Sequence, residues 1–360
     1  MTRALLGAAL AANLVILGQS PARAPRFEVD PSWPKPLPNN WIVGEVSGIA
    51  VDAQDHVWVL QRPRTVGATA RGAAPPSPPP TGVAAPPVLE LDTSGNFLQA
   101  WGGPGAGYEW PANEHGLSVD NKNNIWVTGG GARDAQVLEF TSAGRFVLQI
   151  GQQGKVGNNN DTTTLDRPTD AVVDPAANEV YVTDGEVGGT HRRVVVFDAT
   201  TGAYKRHWGA YGEKPVDGTL PAYDPNAPVS RQFGTATHCV RIARDGLVYI
   251  CDRSNDRIQV FRKDGTFVKE GFVAKATAGL GSIWDLELSP DQRFIYVADG
   301  TNQKIWMLVR DTLEIVGSFG GDGHAPGQIR GANAIAVDSK GNIYIAEAAD
   351  GRRVQKFVLK

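Results

Sequence analysis

A two-strand motif recurs along most of the chain, and this repetition constrains the fold more than any other feature of the sequence. Each copy joins a short apolar run to a polar turn and then to a run of β-branched and aromatic residues. The copies begin at residues 47, 115, 170, 238, 285 and 333. The shortest intervals approach the roughly 40–50 residues of a propeller repeat, and no stretch keeps a helical period. The sequence therefore predicts an all-β protein, a six-bladed β-propeller of four-stranded antiparallel blades.

The sixth repeat indicates how the ring closes. It ends after its third strand, at residues 353–357, so one strand of that blade is missing. We expect the N-terminal segment, residues 27–43, to supply the fourth strand, because closure removes the open sheet edges. A β-sandwich is the alternative fold, but it does not predict six equivalent starts.

The first 24 residues have the features of a secretory signal peptide. Arg3 provides the positive charge, residues 4–18 form an apolar run, and Ala22-Arg23-Ala24 is a small-x-small cleavage site. The run is too short to span a bilayer comfortably, and no later segment is long enough. We therefore expect residues 25–360 to be exported, to the periplasm or the medium, as a single propeller domain without a membrane span.

Composition excludes several classes of protein. The net charge of -3 provides no electrostatic surface for nucleic acid. Two cysteines cannot form a disulfide framework or a cysteine-only zinc site. The 42 glycines and 24 prolines have no three-residue period, which excludes collagen and suits a turn-rich β protein. Residues 63–87 are rich in proline and are predicted to be a disordered or polyproline insertion between the second and third strands of the first blade.

The two cysteines are predicted to face each other. A turn at residues 244–245 would place Cys239 opposite Cys251 on neighbouring antiparallel strands of the fourth blade. A disulfide is compatible with an exported protein. Direct cross-strand pairs can be strained, so two buried thiols remain the alternative.

Ionisable side chains are predicted to collect at one rim of the ring. The start of the first strand and the end of the second lie at the same rim of a blade, because the two strands are antiparallel. This places six side chains near the channel mouth: Arg62, His115, Asp170, Glu186, His238 and Arg253. His115 and His238 hold the same position in their blades and could converge on a divalent metal. The alternative is that both histidines only form hydrogen bonds within the channel.

The repeats resemble NHL repeats, as in Gly246-x-Val-Tyr-Ile-x-Asp-Arg253 and the Arg-Ile-Gln-Val-Phe run at residues 257–261. The order of motifs along nearly the whole mature chain resembles the lyase domain of peptidylglycine α-amidating enzymes. The resemblance implies three channel histidines that bind zinc, and His115 and His238 match the first two. Asn333 stands at the third position, so a third ligand is expected from His191, with Glu186 and His324 as alternatives.

The same resemblance implies the roles of other residues. Arg62 and Arg253 match two arginines that would orient a substrate carboxylate, although salt bridges to Asp252 or Asp285 are the alternative. Glu186 stands where the family has a catalytic tyrosine, and Glu186 or Asp170 could move a proton. Structural calcium is not implied, because Ala334 replaces the family's aspartate.

These observations predict an exported, monomeric, metal-dependent enzyme, with zinc as the first expected metal. By resemblance, it would cleave a C–N bond in a peptidyl α-hydroxyglycine and release an amide and glyoxylate. The expected substrate is a small molecule or peptide bearing a carboxylate. Two alternatives stay open: a non-catalytic NHL propeller that binds a ligand or protein, and a metal-dependent lactone or ester hydrolase.

Overall fold

The computed structural model describes residues 23–69 and 81–360. The predicted signal peptide lies almost wholly outside the described residues. The described chain forms six four-stranded antiparallel sheets. Each sheet is one blade of a propeller. The predicted all-β fold, with six blades of four strands, is therefore confirmed.

The strands follow the repeats. Strands β1 (Phe27–Asp30) and β2 (Trp41–Ile42) precede the first blade. The first blade and its insertion contain β3 (Glu45–Val51), β4 (Val57–Arg62), β5 (Val83–Ala84), β6 (Val88–Leu91) and β7 (Phe97–Trp101). The second blade contains β8 (Glu114–Val119), β9 (Asn124–Gly129), β10 (Gln136–Thr141) and β11 (Phe146–Gly151). The third contains β12 (Pro168–Asp174), β13 (Glu179–Asp184), β14 (Arg193–Asp198) and β15 (Tyr204–Trp208).

The remaining blades are built in the same way. The fourth contains β16 (Thr237–Ile242), β17 (Val248–Asp252), β18 (Arg257–Phe261) and β19 (Phe267–Phe272). The fifth contains β20 (Asp285–Leu288), β21 (Phe294–Asp299), β22 (Lys304–Val309) and β23 (Glu314–Gly320). The sixth contains β24 (Ala332–Val337), β25 (Ile343–Glu347) and β26 (Arg353–Leu359). Short 3₁₀-helices lie at Pro63–Thr65, Ala210–Gly212 and Arg253–Asn255.

The apolar core lies between neighbouring blades. Trp58 of the first blade packs in one cluster with Ile125 of the second, and Trp126 packs with Val180 of the third. The middle strands are buried on both faces, which explains their β-branched and aromatic runs. The first strands β3, β8, β12, β16, β20 and β24 contact one another in sequence and enclose the central channel.

The N-terminal segment closes the ring. Strand β1 pairs antiparallel with β26, with Phe27 opposite Leu359, and Phe27 packs 5.4 Å from the ring of Tyr296. The predicted closing strand is confirmed but covers only Phe27–Asp30. Strand β2 instead pairs in parallel with β5, which lies inside the proline-rich insertion. That insertion joins β4 to β6 as expected, and its described residues include a 3₁₀-helix at Pro63–Thr65 and strand β5.

Most of the channel-lining strands are each interrupted by a β-bulge, and the bulges lie at equivalent positions along the channel. Ser47, Thr169, His238 and Asn333 each stand outside the ladder of their strand, as does the pair His115-Gly116. Four of these side chains hydrogen-bond to a backbone carbonyl of the next blade. His115 Nδ1 bonds Thr169 at 2.9 Å, and Thr169 Oγ1 bonds Thr237 at 2.6 Å. His238 Nδ1 bonds Trp284, and Asn333 Nδ2 bonds Ser47 at 2.6 Å. We call these residues the bulge ring.

Candidate functional site

The two bulge-ring histidines meet at the channel mouth. Their ring centroids lie 4.6 Å apart, and each Nδ1 faces a backbone carbonyl. A carbonyl only accepts hydrogen bonds, so Nδ1 of each ring carries the proton. In the neutral ring, Nε2 then keeps its lone pair, and this is the form of imidazole that binds a metal.

Glu186 completes a three-residue cluster with His115 and His238. Its Oε2 lies 3.5 Å from Nε2 of His115 and 3.4 Å from Nε2 of His238, while Oε1 accepts a 2.9 Å hydrogen bond from Arg253. Burial alone would raise the pKa of Glu186, but the charge of Arg253 holds that pKa well below its usual range. Glu186 is therefore a buried carboxylate.

The cluster fits a divalent metal. One ligand atom from each of the three residues lies within 4.8 Å of the others. Nε2 of His238 and Oε2 of Glu186 are buried and have no hydrogen-bond partner among the described residues. Burial, and then the charge of Arg253, keep the pKa of His238 well below its usual range, so the ring is neutral. Two imidazole nitrogens and one carboxylate suit zinc and several other transition metals, so the residues alone do not single out zinc.

The structure corrects the expectation that His191 is the third ligand. The His191 ring is fully buried inside the third blade, with Nδ1 2.8 Å from Asp184 and Nε2 3.1 Å from the Gly157 carbonyl, so both nitrogens are engaged. Gly185 packs so tightly on the His191 carbonyl that an added Cβ would lie 1.9 Å from it. Glu186, on the same connection, reaches the channel mouth instead.

The other candidate for the third ligand lies apart from the two histidines. His324 is exposed, pairs with Asp350 at 3.8 Å and is not part of the cluster at the channel mouth. Asn333, at the third histidine position of the resemblance, lines the same cleft as His115 and donates its amide N–H to the Ser47 carbonyl of the neighbouring first blade.

Asp170 is also displaced from its expected place. The bulge falls at Thr169, one residue earlier than the sequence register implied, and a slip of one residue changes where a side chain points. Asp170 lies in the channel interior, where it accepts hydrogen bonds from Arg241 and from the Val240 amide. Arg241 also pairs with Asp285 at 2.9 Å. Asp170 is therefore part of a channel ion-pair network and is not placed to move a proton at the metal cluster.

Arg253 and Arg62 lie along a cleft of about 560 Å³ above the cluster. Arg253 is 2% exposed, and its guanidinium carbon lies 4.4 Å from the centre of the Trp284 ring. Its Nη2 bonds Glu186, whereas its buried Nε has no partner within the described chain. Arg62 pairs with Glu45 at 2.7 Å and bonds the Glu114 carbonyl. Both arginines therefore form salt bridges, the alternative that the sequence left open, but their partners are glutamates. Of the named partners, Asp252 pairs with Arg257 and Asp285 with Arg241.

Sequence reasoning missed Trp284 and Arg241. Trp284 provides both the carbonyl that orients His238 and the ring against Arg253. Its only sequence signal is its place directly before the fifth repeat. Arg241 lies on a channel strand within an apolar run, and an arginine there predicts a buried ion pair.

Cys239 and Cys251 are opposite each other on β16 and β17, and the structure joins their sulfurs in a disulfide. The bond adjoins His238 in sequence. Among the described residues, no helix is both long and apolar enough to cross a bilayer.

The fold and the channel-mouth cluster define a six-bladed β-propeller with a candidate metal site. The chain is similar to NHL repeat-containing protein 3 of Mus musculus, with 26% identity over 357 residues that cover 93% of this chain and 84% of that protein. It is also similar to the peptidyl-glycine alpha-amidating monooxygenase of Mus musculus, with 28% identity over 249 residues. That alignment covers 63% of this chain and 22% of the monooxygenase.

Structural comparison agrees with this class. A solved structure described as a streptogramin B lyase superposes with a TM-score of 0.54 and 15% sequence identity, over 93% of this chain and 98% of the other. At that identity the likeness concerns the fold alone. No protein-family model matches the chain. The predicted resemblance to NHL-repeat propellers and, more distantly, to amidating enzymes is confirmed.

Proposed function

We propose that the protein is a metal-dependent lyase that cleaves the C–N bond of N-acyl α-hydroxyglycines at the channel mouth. The observation that carries this proposal is the pair of buried, unpartnered atoms, His238 Nε2 and Glu186 Oε2, beneath a buried arginine. Similarity to the amidating monooxygenase supports the reaction class, although it covers only 22% of that protein.

His115, His238 and Glu186 would hold the metal, with zinc as the first candidate. When bound, the metal supplies a Lewis acid for a substrate oxygen. We assign Glu186 to metal holding rather than proton transfer, because its strongly lowered pKa makes the carboxylate a weak base.

Arg253 would bind the substrate carboxylate. Its Nη2 donates one hydrogen bond to Glu186, and its buried Nε has no partner among the described residues. A buried donor without a partner is costly, and a carboxylate in the cleft would satisfy it. Contact with the Trp284 ring holds the guanidinium plane in place. Arg62, at the same cleft, adds a second positive charge.

The reaction breaks the C–N bond, moves the hydroxyl proton to the leaving nitrogen and releases an amide with glyoxylate. The test is glyoxylate release from N-benzoyl-α-hydroxyglycine by the purified protein, compared with its His238→Ala variant. The exposed His324 provides a matched control, His324→Ala. The proposal is supported if wild type and His324→Ala release glyoxylate and His238→Ala does not. Hydrolysis of simple lactones without glyoxylate release would identify a hydrolase, and turnover of neither substrate would leave a binding propeller.

We also propose export through residues 1–24. The Cys239–Cys251 disulfide supports an oxidising compartment. N-terminal sequencing of the protein purified from its natural host is expected to begin at Pro25. A mature chain that begins at Met1 would contradict export by cleavage.

A further inference from the structure

A second cavity, of about 360 Å³, lies beside the channel-mouth cleft. Its walls come from the long connection between β15 and β16 and from the segment that follows β19. The apolar part of the lining includes Leu220, Pro221, Ala222, Val229 and Phe272, and polar side chains such as Asp224, Asn255 and Lys275 line the rest. Its volume lies within the roughly 300–1,000 Å³ range of small-molecule sites, and apolar walls favour an apolar occupant.

Tyr223 adds an aromatic wall to this cavity. Its hydroxyl donates a 2.7 Å hydrogen bond to the Lys275 carbonyl, so the polar end of the side chain is satisfied. Burial raises the pKa of Tyr223 to about 12. With Phe272, the tyrosine provides a second aromatic ring for contact with an aromatic group, and such pairs favour edge or offset contacts.

The two cavities share their dividing wall. Arg253 lines the cleft and the next residue, Ser254, lines the second cavity. Likewise, Leu280 lines the cleft and Gly279 lines the second cavity. Consecutive Cα atoms are about 3.8 Å apart, and an extended peptide advances about 3.3–3.6 Å per residue. A peptide held by its carboxylate at Arg253 can therefore place the preceding residue near the second cavity.

We propose that the second cavity seats an aromatic side chain of the residue that precedes α-hydroxyglycine in a peptide substrate. This inference rests on the proposed lyase function and adds selection at the preceding residue. Because adjacent residues line the two cavities, one ligand can reach both. The apolar and aromatic part of the lining, with Phe272 and Tyr223, favours an aromatic side chain as the occupant.

The test compares N-acetyl-Phe-α-hydroxyglycine with N-acetyl-Gly-α-hydroxyglycine. We expect kcat/KM to favour the phenylalanine substrate by about tenfold or more, as for apolar pockets that recognise a side chain. Ala222→Trp fills the cavity from an exposed loop position and is expected to abolish that preference. Val216→Trp, at a residue that is 56% exposed and outside the cavity lining, is the matched control and should keep it.

A binding measurement separates this inference from the lyase proposal. The uncleavable peptides N-acetyl-Phe-Gly and N-acetyl-Gly-Gly are titrated against wild type and Ala222→Trp by calorimetry. Turnover without preference at the preceding residue overturns the cavity inference alone. Tighter binding of the phenylalanine peptide, lost in Ala222→Trp, in a protein without turnover overturns the lyase proposal alone and supports the cavity. Equal binding and no turnover overturn both.

Discussion

Nε2 of His238 and Oε2 of Glu186 lie 3.4 Å apart in a buried site, and neither has a hydrogen-bond partner among the described residues. The carbonyl of Trp284 holds the proton of the ring on Nδ1, so the two atoms present lone pairs to each other. Two buried acceptors that face each other are unfavourable unless a cation lies between them. This relationship is the physical basis of the predictions on metal binding.

The purified protein is expected to contain about one equivalent of a divalent metal, held by three residues. The double variant His115→Ala/His238→Ala should lose it, because the remaining carboxylate cannot hold the ion alone. His324→Ala should retain it. Elemental analysis measures all three proteins, and a metal-free wild type that does not take up added Zn²⁺ would refute the site.

Glu186→Gln tests the third ligand. The amide binds metal weakly and lacks the charge, so metal affinity should fall by about 100-fold, a loss at the upper end of that seen for orienting residues. His191→Gln should leave metal affinity unchanged, because both ring nitrogens of His191 are engaged inside the third blade. Competition with a chelator measures the affinities, and the reverse result would restore His191 as the ligand.

Arg253→Ala is expected to raise KM for a carboxylate substrate by about 10- to 100-fold, the loss of one charged hydrogen-bonding group. The corresponding substrate amide should respond much less, because it lacks the negative charge. Arg64, whose side chain is 46% exposed and pairs with Glu114, provides the control Arg64→Ala. Equal losses on the two substrates would argue that Arg253 only supports the fold.

Glu179 predicts a dependence of stability on pH. Hydrogen bonds from Arg206, at 2.8 and 2.6 Å, lower the pKa of Glu179 to about 2. Because the folded pKa is below that of the unfolded chain, this pair stabilises the fold above about pH 4.3, and the contribution is lost as pH falls towards 2. Glu179→Gln should therefore lower the free energy of unfolding by about 1–2 kcal/mol at pH 7 and by less at pH 3. Urea unfolding at both pH values measures this, and a constant difference would contradict it.

The disulfide closes a loop with a sequence separation of 12 residues. The unreduced protein should therefore contain no thiol that reacts with an alkylating agent. Replacing both cysteines with alanine should lower stability by about 2–3 kcal/mol, mainly by freeing the unfolded chain. Mass spectrometry and thermal unfolding measure these effects. Two alkylated cysteines in native protein would exclude the bond.

The fold was predictable because the same strand pattern recurs in six units along the chain. The start of each repeat placed His115 and His238 correctly at the channel mouth, since equivalent positions in equivalent blades share one height. The same logic failed by one residue at Asp170, because the bulge falls at Thr169 and a bulge leaves no periodic signal in the sequence.

The choice between Glu186 and His191 was beyond the sequence for a different reason. Both lie on one glycine-rich connection between β13 and β14, where no alternation fixes which side chain turns towards the channel. In the folded connection Gly185 lies against the His191 carbonyl, a contact that the sequence does not indicate. Likewise, the partners of Arg62 and Arg253 depend on contacts between segments that are distant in sequence, and the spacing of the repeats does not predict such contacts.

The bulge ring gives the channel mouth a second property. His115, Glu186 and His238 come from the second, third and fourth blades, and each histidine is oriented by the backbone of the following blade. The three ligand atoms therefore converge only when these blades and the fifth are assembled. An ion that binds them binds the native ring and not the unfolded chain, so by mass action its concentration would set how far the folding equilibrium favours the native state.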